Sequence, residues 1–203
     1  MSPVESPPPT DAEVRMARFA AGQLSPDGPG RFEEFLDRSG EHSLDVLTCP
    51  DAPARGLHTV STVSLHRSPN VLGAGTPQET DVRVELVAVL AAPEAELVTT
   101  LLVAAAFTMV KEPWPVNPGT VFPGVVGDLF GGGAEHLLFT APGTFPRLDR
   151  YRLEPDLDVH WLQAVPLHES EREFLLERGL DALEDALTAA EAEFHDVRRP
   201  PVV

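Results

Sequence analysis

One cysteine and one tyrosine stand in a chain of 203 residues, Lys111 is its lone lysine, and basic residues number 15 against 32 acidic ones. A single thiol, Cys49, excludes an intrachain disulfide and any thiolate metal site built by this chain alone, which fits a reducing cytoplasm. The formal charge of -17 argues against nucleic acid as a partner, because phosphate backbones are held by basic stripes and repelled by such a field. A basic protein would be drawn in instead, although net acidity also serves plain solubility. No apolar run reaches the roughly 18 residues of a membrane span, and Leu97 to Val110 is apolar but shorter. The N-terminal MSPVESPPPT has neither the basic nor the apolar region of a secretory signal.

Catalytic patterns are just as scarce. The histidines nearest by spacing, His58 with His66 and His160 with His168, make no ligand motif, so neither metal nor cofactor is expected. No G-x-S-x-G elbow is present. Gly131 to Gly133 is not followed by Lys-Ser or Lys-Thr, and reads as a turn instead of a phosphate cradle.

What is present is the pattern of an α+β domain. Asp81 to Leu90 (DVRVELVAVL) starts alternating and becomes wholly apolar, as a strand covered on both faces does. Pro93 then opens a helix carrying Glu94 and Glu96 in its first turn and Leu97, Leu101, Ala105 and Met109 on one side, apolar enough to be the main core element. Before them, Thr10 caps a helix from Asp11 that Gly22 ends, and Phe32, Phe35 and Leu36 predict a second helical stretch over Arg31 to Arg38. Leu44 to Thr48 and Leu57 to Leu65 read as strands with short links, so antiparallel pairing in a meander follows.

Beyond the central helix lies KEPWPVNPGTVFPGVVGD, where prolines stiffen the backbone and Gly119, Gly124 and Gly127 turn it. His136 to Thr140 and Val159 to Leu167 are further strands, separated by a proline turn and a polar stretch, with Trp161 read as core or as the wall of a pocket. From Glu169 one helix is predicted, with Leu176, Leu180, Leu183 and Leu187 as its apolar stripe and Gly179 inside it. Residues 1–10 and 196–203, rich in proline with little to bury, are expected as disordered and dispensable tails around a domain over 11–195.

In order, LDVLTCP, HTVSTVSLHRSPN, VRVELVAVLAAP, LLFTAPGTFP and the closing HWLQAVPLHESEREFLLERGLDAL resemble the suppressor of fused domain family over roughly Phe32 to Leu187. The closing block is the most specific, with Val165, Pro166, Leu167, an acidic helix start, then Glu177, Gly179, Leu180 and Leu183. Gly119 to Pro123 is similar to the family's Gly-His-Thr-Ile-Pro stretch but lacks its histidine. The resemblance implies an α+β domain, its mostly antiparallel or mixed sheet packed on the central and C-terminal helices, that binds protein without catalysis. It matches the single-lobe bacterial kind proposed to be immunity proteins against toxin domains, and an acidic antidote to a basic toxin suits the charge. An extended peptide is the alternative occupant.

The partner surface is expected at Glu112 to Gly127, with Trp114, Thr120 and Phe122 as contacts unless the rings only close the core. A second candidate surface is the acidic side of the last helix, at Glu173, Glu177 and Glu184, which otherwise is simply solvated. Two other functions compete: a small-ligand site or enzyme using a cleft near Trp114 and Trp161, and a regulatory or structural subunit.

Overall fold

A computed structural model of the chain describes residues 8–203 apart from Pro26, Asp27, Pro29 and Pro113. The first seven residues of the expected N-terminal tail, part of the LSPDGPG turn and the first proline of the stiff loop therefore lie outside the described residues. Helix α1 (Asp11–Leu24) precedes strands β1 (Arg31–Leu36), β2 (Ser43–Pro50), β3 (Leu57–Thr62), β4 (Val71–Leu72), β5 (Thr80–Asp81) and β6 (Arg83–Ala91). Then come α2 (Ala95–Lys111), β7 (Val121–Phe122), α3 (Val125–Phe130), β8 (His136–Thr140), β9 (Arg150–Glu154), β10 (Leu157–Leu167), α4 (Glu169–Arg178) and α5 (Leu180–Ala189).

Eight strands form one sheet in the order β1-β2-β3-β6-β10-β8-β7, with β9 also on β10, while β4 and β5 pair separately. The meander expected for β2, β3 and β6 is antiparallel. One parallel pair, β6 with β10, makes the sheet mixed; between the two the chain passes through α2, β7, α3, β8 and β9. β6 is apolar on both faces for a visible reason. Val84, Leu86, Ala88 and Leu90 point to α2, and Val87 and Val89 point to the cluster beneath α1.

α2 buries Val98, Leu101, Leu102, Ala105, Ala106, Phe107 and Met109 against the sheet. Its outer side carries Thr100, Ala104 and Thr108, and the two hydroxyls bond back to the carbonyls of Glu96 and Ala104. With the preceding helical turn, the run Ala92–Lys111 has 20 residues and meets the length and apolarity of a membrane span, longer than the sequence pattern suggested. Here it is the helix that covers one face of the sheet.

The opposite face is shared. α1 packs Met16, Ala20 and Leu24 with Val159 and Trp161, whereas α4 and α5 pack on Leu138 and Leu167. α1 starts in a capping box, with Thr10 N–H donating to Glu13 Oε2 at 2.7 Å and Glu13 N–H to Thr10 Oγ1 at 3.2 Å. It runs on through Gly22, since Leu24 is buried beneath it. Burial would push the Glu13 carboxyl up, but Arg67 and the Thr10 bonds outweigh it and hold it at about 2, below its ordinary 4.5. A lowered carboxyl stabilises fully above pH 4.5 and loses that contribution as pH falls toward 2. The melting-temperature gap between wild type and Glu13→Gln should thus be wide near neutrality and close across that window; a gap independent of pH would refute the linkage.

Four local expectations are corrected. Arg31 to Leu36 is a strand, not a helix: the Asp37 carboxylate gathers the N–H groups of Glu41 and His42 and closes a hairpin onto β2. β3 stops at Thr62 instead of Leu65, because buried Glu85 draws the next residues into a turn. The polar stretch before Asp158 contains β9, whose Tyr151 and Leu153 pack inward while Arg152 pairs with Asp158. The single last helix is two, broken at Gly179 with φ 86 and ψ 171, so Leu176 leaves the apolar stripe and is 74% exposed.

The C-terminal residues are not a loose tail either. Val197 and Arg199 are buried, and Ala134 N–H donates to Val197 O at 2.7 Å. Gly133 is a consequence: at φ +89, a Cβ there would lie 2.1 Å from Val197 O.

Candidate protein-binding site

The stiff loop runs along one end of the sheet, from the β1 side to the β7 margin. At its start Lys111 Nζ pairs with the Asp37 carboxylate at 2.7 Å. The buried Asn70 side chain then holds Val116 as a strand partner would, donating from Nδ2 to Val116 O at 2.9 Å and accepting Val116 N–H on Oδ1 at 2.8 Å. Gly119 N–H donates to Phe139 O at 2.8 Å, and Phe139 N–H to Thr120 O at 2.9 Å. The loop is therefore fixed at both ends and in its middle by bonds the sequence pattern did not show. Asn70 was the missed residue, since nothing in SPN marks it as a clamp for a segment 46 residues on.

The expected contacts divide by environment. Phe122 is 3% exposed and packs edge-on to Phe139, centroids 5.1 Å apart, so it belongs to the core. Trp114 is 45% exposed and leans on Phe122 with centroids 5.4 Å apart. One ring supports the other. Thr120 is half-buried, and its hydroxyl is already used, donating to Asn117 Oδ1 at 2.8 Å and accepting Asn117 N–H at 3.1 Å. Beside Trp114 a cleft of about 330 Å³ is lined by Leu65, Asn70, Val71, Met109 and Pro115.

Trp161 does not share that cleft. It is buried under α1, with its indole N–H donating to Ser61 Oγ at 3.2 Å, and it borders a separate space of about 150 Å³. A ligand site formed by both tryptophans is thereby corrected. The charged residues lining the Trp114 cleft are Lys111, already paired, and Glu112.

A close His–Glu contact near the loop is also committed. His136 Nδ1 accepts Gly124 N–H at 3.0 Å, so Nε2 carries the proton and donates to Glu169. Arg172 first, and then His136, hold the Glu169 carboxyl down at about 2. With both ring nitrogens engaged, the dyad ties α4 to the loop. Among the described residues no group of three His, Cys, Asp or Glu is placed to hold a metal ion.

Glu173 and Glu177 lie exposed on α4 around Leu176, and Glu184 is exposed on α5. Burial first, then Asp181 and Asp185, push the Glu184 carboxyl up. The helix break separates these residues into two patches. Leu180, at the start of α5, lies beside Gly119 of the loop.

This architecture, a mixed sheet with α2 and the short α3 on one face and α1, α4 and α5 on the other, presents a fixed loop with an exposed aromatic ring, and among the described residues no catalytic group is assembled in that cleft. The family model described as Suppressor of fused protein (SUFU) matches residues 40–200, and the chain belongs to that family. It is 27% identical over 196 residues to the immunity protein YqcF of Bacillus subtilis (strain 168), covering 93% of this chain and 95% of that protein. Among solved structures, the fold matches a SUFU homolog from Neisseria gonorrhoeae FA 1090 with a TM-score of 0.71 at 13% identity, over 95% of this chain and 97% of that one. It also matches a chain of the Sufu-Fu complex with a TM-score of 0.59 at 14% identity, over 97% and 93%.

Proposed function

We propose that this chain is a non-catalytic binding module that neutralises a protein toxin in the cytoplasm, docking it on the loop of residues 112–127. Trp114 carries the reading. Its ring is half exposed on a loop that Asn70, Phe139 and Phe122 already hold, so little order is lost on docking, and tryptophan is among the strongest interface anchors. Kinship with a protein named as an immunity protein supports a toxin domain as the class of partner. The charge of -17 favours a basic one, with Glu173, Glu177 and Glu184 adding to the attractive field.

The test is coexpression with a basic toxin domain, sought first among the genes adjacent to the one for this chain. Wild type should restore growth and co-purify with the toxin. Trp114→Ala should weaken capture by about 2 kcal/mol, roughly thirtyfold, with an unchanged melting temperature. Phe122→Leu should do the reverse, lowering the melting temperature first. Normal capture by Trp114→Ala would remove the loop from the interface.

A further inference from the structure

The sheet ends on β1 and on β7, with β9 a further edge, and β1 (Arg31–Leu36) is the longest of the three and open among the described residues. Asp37 N–H donates to His42 O at 3.0 Å, and the register runs unbroken from Leu36↔Ser43 to Arg31↔Thr48. In an antiparallel ladder of that parity, Arg31, Glu33 and Phe35 exchange bonds with β2, while Phe32, Glu34 and Leu36 aim N–H and C=O away from it. Among the described residues no hydrogen bond reaches those outward groups.

The side chains at the same positions are exposed as well. Phe32 is 49% and Leu36 54% exposed, with exposed Glu34 between them. Lysine, proline and bulges, the usual guards of an edge strand, are absent from RFEEFL. Acid is present instead. Glu34 stands directly opposite Asp45, a like-charged cross-strand pair of the closer, non-hydrogen-bonded type. Burial pushes the Asp45 carboxyl up, Arg67 opposes this, and Glu34 adds to it. Arg67 is a weak counterion here, 3.8 Å from Asp45 and already bound to Glu13 at 2.7 Å.

We propose that β1 is a docking edge for an added strand from a basic partner, with apolar side chains set against Phe32 and Leu36 and an arginine or lysine set against Glu34. Backbone bonds would supply the affinity and the alternating side chains the choice of partner. A second copy of this chain fits poorly, because antiparallel self-pairing centred on Glu34 would put Glu34 against Glu34 between two chains of charge -17. The inference rests on the chain being a protein-binding module, but not on the Trp114 loop.

The test titrates the isotope-labelled full chain with a short capped peptide alternating threonine with valine, arginine and leucine in that order. Phe32, Glu34 and Leu36 amides should shift and exchange more slowly, and binding should fade with salt. N-methylating the peptide amides that face the edge should weaken binding about tenfold. Glu34→Pro, at a position whose N–H faces solvent, should abolish binding with little change in melting temperature. Trp114→Ala should bind the peptide like wild type, so a failed toxin assay and a failed edge are told apart. The proposal is overturned if glutamate replaces the peptide arginine without loss, if the N-methylated peptide or Glu34→Pro binds normally, or if protection appears at β7. Slow β1 exchange in a peptide-free dimer would also overturn it.

Discussion

Arg199→Ala is expected to cost about 3 to 5 kcal/mol of stability, the usual loss when one partner leaves a buried ion pair. The Arg199 guanidinium donates from Nη1 to Glu171 Oε1 at 2.6 Å and from Nη2 to Glu171 Oε2 at 2.8 Å, and both residues are buried. Burial pushes the Glu171 carboxyl up, but Arg199 and the N–H groups of His168 and Val202 outweigh it and keep it low. The His168 ring closes the clasp by donating from Nε2 to Arg199 O at 2.7 Å. Removing residues 196–203 should be as damaging, since it also uncovers the core beside Gly133. The double variant Glu171→Leu, Arg199→Met should recover only part of the loss, because the His168 and Val202 N–H groups keep no acceptor. Denaturant midpoints decide this: an Arg199→Ala chain within about 1 kcal/mol of wild type would mean that the C-terminal segment is not fastened to the domain.

Glu85→Ala should lose about 4 kcal/mol, an expectation built from buried donors left without an acceptor at about 1 to 3 kcal/mol each. Glu85 is wholly buried. It accepts the Thr62 hydroxyl, Leu65 N–H at 3.2 Å, His66 N–H at 3.1 Å and His66 Nδ1 at 2.6 Å. The carboxylate thus ends β3 and builds the turn after it, whose His66 also reaches Glu13 of α1 at 3.5 Å. Glu85→Gln keeps the shape and one acceptor, and should fall between wild type and alanine. If hydrogen exchange in Glu85→Ala shows residues 63–68 as protected as in wild type, the turn has another origin and the argument fails.

Both sites were hidden in the sequence for the same reason. Glu85 sits in an alternating stretch where an acid reads as a solvent-facing position, and its donors lie about twenty residues earlier. Arg199 lies among prolines that predict a tail, and its partner is 28 residues away. Local pattern carries no information on such pairs. β1 is hidden differently: Phe32, Phe35 and Leu36 fit a helical period, and the hairpin turn that makes them a strand depends on one carboxylate, Asp37. The split at Gly179 was within reach, since glycine inside an amphipathic helix is as much a break as a packing site.

By itself the sequence determined that β6 would be covered on both faces and that α2 would lie across the sheet, because hydrophobic periodicity is set locally by which side chains must leave water. It also determined the acidic charge and, through the closing β10 and helix block, the family. The tertiary structure alone decided which aromatic ring on the loop reaches solvent. Trp114 and Phe122 are alike in hydrophobicity, and only the position of Phe139 places one in the core and leaves the other outside. It alone decided that β1 is an edge and that the last residues are a clasp, because strand order and long-range ion pairs follow from how distant segments meet.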